Sequence, residues 1–452
     1  MKRLKGHWIF LVVVMILVLT NKGYGGTFAY VPNSASGYVT IISLNNGSTI
    51  ATVPTGNTPY GSVLFPYGNY GYITNSGSNS VSVIDFSMIN DPEEVVLATI
   101  SVGKEPRGIA VDPFGYYVYV VNYESDTLSI ISTTSNTVIS TVSVGNGPWG
   151  IIADPDGETV YVSNYLDNSI SVVSATEAFT IPDVGEGPVG LSMSSDGKYL
   201  YVANYEGNTV TMITTSEYEE KMLSDFEISA TVSVGAAPFG IVVSPDDGTV
   251  FVSNSGDDTV SVINTETLSV ESTLSVGGTP MGIAVPKHGD SVYVSCFGDG
   301  SLKQIRLDNF SVTDFDFGGV LDSPVALGSF IGGMAPDAPT NLDIEDYSDD
   351  WAELEWDDNS WDELGFIIER KLYDDDDDDD ENEEEEEYIV VGVVESNITE
   401  FKDSTVDPDT EYVYRAKSYN EAADSLYSYE TYLTTETEAE STCFIDSLFD
   451  LF

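Results

Sequence analysis

The chain has 452 residues, with 74 acidic against 16 basic side chains and a formal net charge of −58. That charge makes nucleic acid and anionic membrane surfaces poor partners, since every approach is repelled. Two cysteines, Cys296 and Cys443, exclude a disulfide-stapled secreted scaffold and leave pairing between them open.

Residues 1–25 read as a secretory signal. Lys2, Arg3 and Lys5 make a basic start, and Ile9 to Leu19 is an uninterrupted apolar run. Gly23-Tyr24-Gly25 places small residues where a signal peptidase reads, so cleavage is expected after Gly25. The run is shorter than the ~18–20 residues of a spanning helix. No other stretch is apolar enough to cross a bilayer. The mature chain is therefore expected to lack a transmembrane segment and to be secreted, extracellular or at the cell surface, with the periplasm as second choice. An uncleaved anchor is the alternative.

From residue 26 to 332 one phrase recurs. It opens with Tyr-Val-x-Asn, as at Tyr30–Asn33, Tyr72–Asn75, Tyr119–Asn122, Tyr161–Asn164 and Tyr201–Asn204. Phe251–Asn254 is a further copy, and Tyr293–Cys296 a degenerate seventh. It closes with Gly-x-x-Pro-x-Gly, as at Gly56–Gly61, Gly103–Gly108, Gly145–Gly150, Gly185–Gly190, Gly235–Gly240 and Gly277–Gly282, weakened around Ser323-Pro324-Val325. A period of about 40–50 residues with alternating Val, Ile, Ser and Thr predicts a seven-bladed β-propeller. The chain begins without the strand that should precede its first phrase. It ends with a spare one, Val325–Ile331, which is expected to become the innermost strand of the blade begun by Phe28–Pro54 and so to close the ring. The motif glycines are expected to supply turn conformations, with Pro fixing φ between them, and the motif Asn to bond local backbone at a tight turn. Insertions near Met88–Leu97 and Ser216–Glu227 are expected as outer-edge loops.

These phrases resemble the YVTN family of β-propeller repeats over about residues 27–332. The resemblance implies a seven-bladed ring of the kind found in surface-layer and other exported proteins, with lactonase-like proteins and periplasmic redox subunits among relatives of the same shape.

A linker, 333–338, is followed by a change of texture at 339–436. Trp356 and the Thr410-Glu411-Tyr412-Val413-Tyr414-Arg415 phrase resemble the core tryptophan and tyrosine corner of a fibronectin type III sandwich. The expected fold class is thus all-β, a propeller plus an immunoglobulin-like sandwich serving as spacer or adhesion module. Within the second unit, 374–387 is almost unbroken Asp and Glu. It reads as a solvated loop, as a loose calcium site through Asp374, Asp376, Asp378 and Asp380, or as a patch for a basic partner. No other cofactor is expected. The tail, 437–452, is apolar and carries Cys443.

Catalytic signatures are scarce. The histidines are His7, in the leader, and His288, in a slot that predicts an exposed blade turn. No nucleophile elbow, haem motif or histidine pair for zinc appears. The residue before the last Gly of each turn phrase and the residue after each motif Asn should meet on one face of the ring. This gathers Tyr60, Arg107, Tyr123, Trp149, Tyr165, Tyr205 and Phe239 at the channel mouth, as a ligand site or as blade packing. The reading that follows is a non-enzymatic surface protein whose propeller binds protein or glycan. The alternatives are an extracytoplasmic lactonase- or lyase-like enzyme and a structural surface-layer subunit.

Overall fold

The computed structural model describes residues 27–435, except 67–69, 89–93, 175–177, 216–225, 320, 327, 329, 334–335, 361–362 and 374–387. The leader, the acidic run with its calcium candidates Asp374, Asp376, Asp378 and Asp380, and Cys443 lie outside the described residues. Seven four-stranded antiparallel sheets form the blades of a ring. Blade 1 combines Thr27–Asn33, Tyr38–Ser43 and Thr49–Pro54 with Ile331–Gly333 as its innermost strand. Blades 2 to 7 follow in chain order at 59–101, 106–143, 148–181, 188–233, 238–275 and 280–314.

Closure is made by backbone. Ala29 pairs with Ile331 and Thr27 with Gly333. Before this short strand, Tyr30 donates to the Phe330 carbonyl at 2.8 Å and Val325 donates to the Pro32 carbonyl at 3.1 Å. The closing strand is thus Ile331–Gly333 rather than the expected Val325–Ile331, of which Val325 and Phe330 reach blade 1 by single backbone bonds.

The reason each phrase is conserved from blade to blade lies in close approach. A Cβ on the first motif glycine would stand 2.5 Å from Asn122 at Gly103 and 2.5 Å from Asn164 at Gly145. A Cβ on the last would stand 2.5 Å from the Trp149 carbonyl oxygen at Gly108, 2.0 Å from that of Val189 at Gly150, and 2.2 Å from that of Phe239 at Gly190. The expectation that these glycines serve turn conformation holds at Gly185, φ 135°, and is otherwise corrected: the first glycine makes room for the motif Asn of its own blade, and the last removes a side chain where inner strands of adjacent blades touch. Left-handed backbone also falls on the residue before Pro, at Thr58, Glu105, Ala237 and Thr279.

The motif Asn bonds nearby backbone as expected in places, as Asn33 does to the Val31 carbonyl at 3.0 Å, but its recurring partners are hydroxyls across the hairpin. It is fully buried and donates across to the hydroxyls five and seven residues on, as Asn164 does to Ser169 at 3.0 Å and Ser171 at 2.9 Å. Asn204 repeats this with Thr209 and Thr211, and Asn254 with Thr259 and Ser261. The residue before it pins neighbouring blades: the Ser163 hydroxyl accepts from the Gly150 amide at 2.8 Å and donates to the Val189 carbonyl at 2.7 Å. Thr74 and Ser253 do the same at their blades. Between blades the rest is apolar, as with Tyr161, Ile170, Val172, Leu200 and Val202 in one cluster.

The C-terminal unit has a three-stranded sheet (Thr340–Tyr347, Ala352–Asp357, Glu400–Asp403) and a four-stranded one (Gly365–Leu372, Ile389–Glu395, Glu411–Tyr419, Thr431–Thr434). Their shared core includes Leu354, Trp356, Phe366 and Tyr414. The Tyr412 hydroxyl accepts from the Asp407 amide at 2.9 Å. Buried Arg370 donates to Asp403 at 2.6 Å.

This unit touches the propeller at blade 7, which corrects the reading of His288 as exposed. His288 is half-buried, with Nε2 2.7 Å from Asp424 Oδ1 and its ring 5.0 Å from that of Tyr419. Lys287 donates to the other Asp424 oxygen at 2.9 Å. Burial alone would raise the Asp424 pKa. The His288 hydrogen bond and the nearby Lys287 and Lys417 overcome it and hold the carboxyl well below the usual range.

Two expectations follow. Gly150→Ala should cost about 1–3 kcal/mol or more through overpacking, read from the midpoint of a urea unfolding curve. Asp424, with its folded pKa depressed, contributes fully above the ordinary carboxylate pKa of ~4 and loses that contribution only as pH falls below it. Docking should therefore hold at neutral pH and loosen in strong acid, while Asp424→Asn loosens it at neutral pH, seen as faster proteolysis around the 333–338 linker.

Candidate functional site

The close approach of inner strands decides which side chains meet. Because Gly108 packs on the Trp149 carbonyl, the residue before it, Arg107, stands against Trp149 of the next blade. Within a blade the two turns are tied by backbone: Tyr123 donates to the Glu105 carbonyl at 3.0 Å, Tyr165 to that of Gly147 at 3.0 Å, and Tyr205 to that of Gly187 at 2.8 Å. Tyr123 is thereby set beside Arg107, and Tyr165 beside Trp149.

All seven residues named from the repeat register come together on this face. Val189, Phe239, Tyr60, Trp149, Tyr165, Tyr205 and Met281 pack as one cluster. Trp149 meets the rings of Tyr60, Tyr123, Tyr165 and Phe239 at centroid distances of 6.5, 5.4, 5.1 and 6.0 Å. Since these belong to blades 2, 3, 4 and 6, the indole lies across the channel axis. Phe239 is buried, while the other rings are half-buried and present surface to solvent.

Arg107 is held inside this cluster. Its guanidinium carbon lies 3.6 Å from the Tyr123 ring centre and 3.7 Å from that of Trp149, and since these two rings are near-perpendicular, at 79°, they close on it from adjoining sides. Nε donates to Glu105 Oε1 at 3.2 Å, and Nη2 pairs with the same oxygen. Nη1 is buried and has no partner. The left-handed backbone at Glu105, φ 53°, turns that carboxylate toward the guanidinium; blades 4 and 5 have Gly147 and Gly187 at this position. Sequence reasoning chose Arg107 by its register but missed Glu105. The position varies, with Thr58, Gly147, Gly187, Ala237 and Thr279 in other blades, so the repeat itself did not mark it.

Glu206 was also missed. Its Oε1 accepts from the Tyr165 hydroxyl at 2.6 Å. That hydrogen bond, with burial adding to it, pushes the Tyr165 phenol up to about 12. Burial pushes Tyr60 up to about 12 against the opposing pull of Arg107. A row thus crosses the mouth: Glu105, Arg107, Trp149, Tyr165, Glu206. It offers unpaired N–H donors at Arg107 Nη1 and Trp149 Nε1, an apolar ring surface and a hydrogen-bonded carboxylate.

Behind the rings lies a channel cavity of about 390 Å³, lined by Gly108, Gly150, Gly190 and Gly240 and then by Val111, Ala153 and Val242. The aromatic layer closes one end. At the other, Asp112 is buried and spends its carboxylate on the Phe114 and Tyr117 amides. Among the described residues no group of three or more His, Cys, Asp or Glu is placed to hold a metal, and no helix is long and apolar enough to cross a membrane. Cys296 is buried, which pushes its thiol up to about 11.

The model of a family described as lactonase, 7-bladed β-propeller matches residues 24–143 and 185–312. No curated protein matches the chain significantly. Among solved structures, a protein of unknown function from Desulfotomaculum acetoxidans is 18% identical, with 66% of this chain and 97% of that one covered at a TM-score of 0.57. A putative 6-phosphogluconolactonase from Bacteroides fragilis is 18% identical, covering 68% and 98% at 0.56. One from Bacteroides uniformis is 17% identical, covering 66% and 97% at 0.54. At these identities the structural likeness speaks for the fold, the seven-bladed ring. The family match overturns the expectation of a propeller without enzymatic activity. That expectation leaned on the shortage of histidine, yet opening a lactone needs only an oxyanion donor and a base, which arginine and a carboxylate can supply.

The hydrogen bond at the mouth is testable by itself. Glu206→Gln should bring the Tyr165 ionisation down from about 12 toward the ordinary phenol value of ~10, read as an earlier rise in tyrosinate ultraviolet absorption and absent in Tyr165→Phe.

Proposed function

The chain belongs to the lactonase, seven-bladed β-propeller family, and from that membership we propose that it hydrolyses cyclic esters at the mouth formed by Arg107, Trp149, Tyr165 and Glu206. The observation that carries this reading is the unpartnered, buried Nη1 of Arg107, caged by two rings and braced by Glu105. Caging fixes the fork before substrate arrives, and the low local dielectric strengthens what Nη1 donates.

A lactone ring lies on Trp149 with its carbonyl oxygen at Nη1. Water adds to the carbonyl carbon, losing a proton to Glu206. The ring C–O bond then breaks, and the ring oxygen takes a proton back to leave as an alcohol. The carboxylic acid product ionises and releases one proton to solvent. Tyr165, with its phenol held protonated by Glu206, remains a donor across the working pH range.

The finer readings are proposals too. The repeat phrase supports a YVTN-type propeller. The buried Trp356 and the Tyr412–Asp407 bond support a fibronectin type III-like sandwich as a spacer. The basic, then apolar, leader supports export.

The test is a pH-stat assay over a panel of γ- and δ-lactones. Wild-type protein should release protons stoichiometrically with ring opening. Arg107→Ala should lower kcat/KM by about 100-fold or more, as loss of an oxyanion donor does. Absence of turnover over the panel, or full activity in Arg107→Ala, contradicts the proposal.

A further inference from the structure

We infer that the mouth selects an uncharged lactone with a flat apolar face and rejects lactones carrying a phosphate or a second carboxylate; this rests on the reading of the mouth as a lactone site. The first ground is charge. Arg107 is the cation at the centre, and Glu105 already neutralises it. Among the described residues of the turns on this face, the one other cation is Lys104, whereas Glu124, Glu186 and Glu206 add exposed carboxylates. Glu186 and Glu206 sit on hydrogen-bonded neighbouring turns, since the Glu206 amide donates to the Glu186 carbonyl at 3.2 Å. A phosphate dianion on Trp149 would stand among these carboxylates with no free cationic fork to meet it. Like charges so placed disfavour the wrong ligand, within a chain of net charge −58.

The second ground is donor count. A phosphate has three acceptor oxygens to satisfy and is met elsewhere by bidentate arginine pairs or a row of amides. Here Arg107 spends Nε and Nη2 on Glu105 and has Nη1 left. Together with Trp149 Nε1 it is the unpartnered buried donor set of the mouth, which suits one carbonyl oxygen rather than the three oxygens of a phosphate. The third ground is where the selecting residues lie. The family match stops at 143 and resumes at 185, so Trp149 and Tyr165, which make the apolar platform of blade 4, fall in the stretch it passes over. The family match therefore sets no expectation for these two platform residues.

The experiment compares two non-hydrolysable δ-lactams of one ring skeleton, neutral and phosphorylated, by calorimetric titration of the full chain at low and high salt. Turnover of the corresponding lactones is followed in parallel. The neutral lactam should bind about tenfold tighter or more at low salt, the gap should narrow as salt screens the carboxylates, and Glu124→Gln with Glu186→Gln, both exposed positions, should narrow it further. Equal or tighter binding of the phosphorylated lactam overturns the inference, as does the absence of binding by either. If the neutral lactam binds selectively but its lactone is not opened, the selectivity stands and the hydrolytic reading falls.

Discussion

Inner strands of adjacent blades touch at glycine. At Gly108, Gly150, Gly190 and Gly240 a methyl group would fall within 2.0–2.5 Å of the next blade's carbonyl oxygen. That constraint sets the circumference of the ring and, through it, the site. It presses Arg107 onto Trp149 because each is the residue before such a glycine. The hydroxyls of Thr74, Ser163 and Ser253 then lock the contact from the side by bonding both strands. Architecture and chemistry here share one interaction.

From the ring, the mouth inherits rigidity. Each turn phrase is tied to the Asn turn of its own blade by a backbone hydrogen bond, so the seven positions around the axis are held by main chain rather than by side-chain packing. The side chains at the six complete turn phrases differ from blade to blade, with Tyr60, Arg107, Trp149, Val189, Phe239 and Met281 in turn. A symmetrical scaffold thereby presents an asymmetric surface. The cation lies in blade 3, the broad indole in blade 4 and the Tyr165–Glu206 bond across blades 4 and 5.

Much of this was legible in the repeat. Seven copies of two phrases specify the ring, and register alone is enough to gather Tyr60, Arg107, Tyr123, Trp149, Tyr165, Tyr205 and Phe239. Three things were not legible, for physical reasons. Glu105 and Glu206 occupy variable turn positions, and in a chain this acidic a carboxylate carries no signal until its partner is seen. The motif glycines and asparagines look like turn residues, because close approach and cross-strand bonding involve partners a blade or a strand away. His288 sits in a hairpin slot that is exposed in other blades, and only the docking of the C-terminal unit covers it through Asp424. The activity class was misjudged because histidine is a common sign of catalysis and not a requirement for opening an ester ring.

The measurement that bears most directly on the mouth as the reacting site is a crystal structure of the full chain soaked with a neutral δ-lactam. The ring is expected on the exposed face of Trp149 with its carbonyl oxygen within hydrogen-bond reach of Arg107 Nη1, and Glu105 still paired with the guanidinium. A lactam found instead at the opposite opening of the channel, beside Pro113 and Lys287 with the aromatic layer untouched, would contradict it.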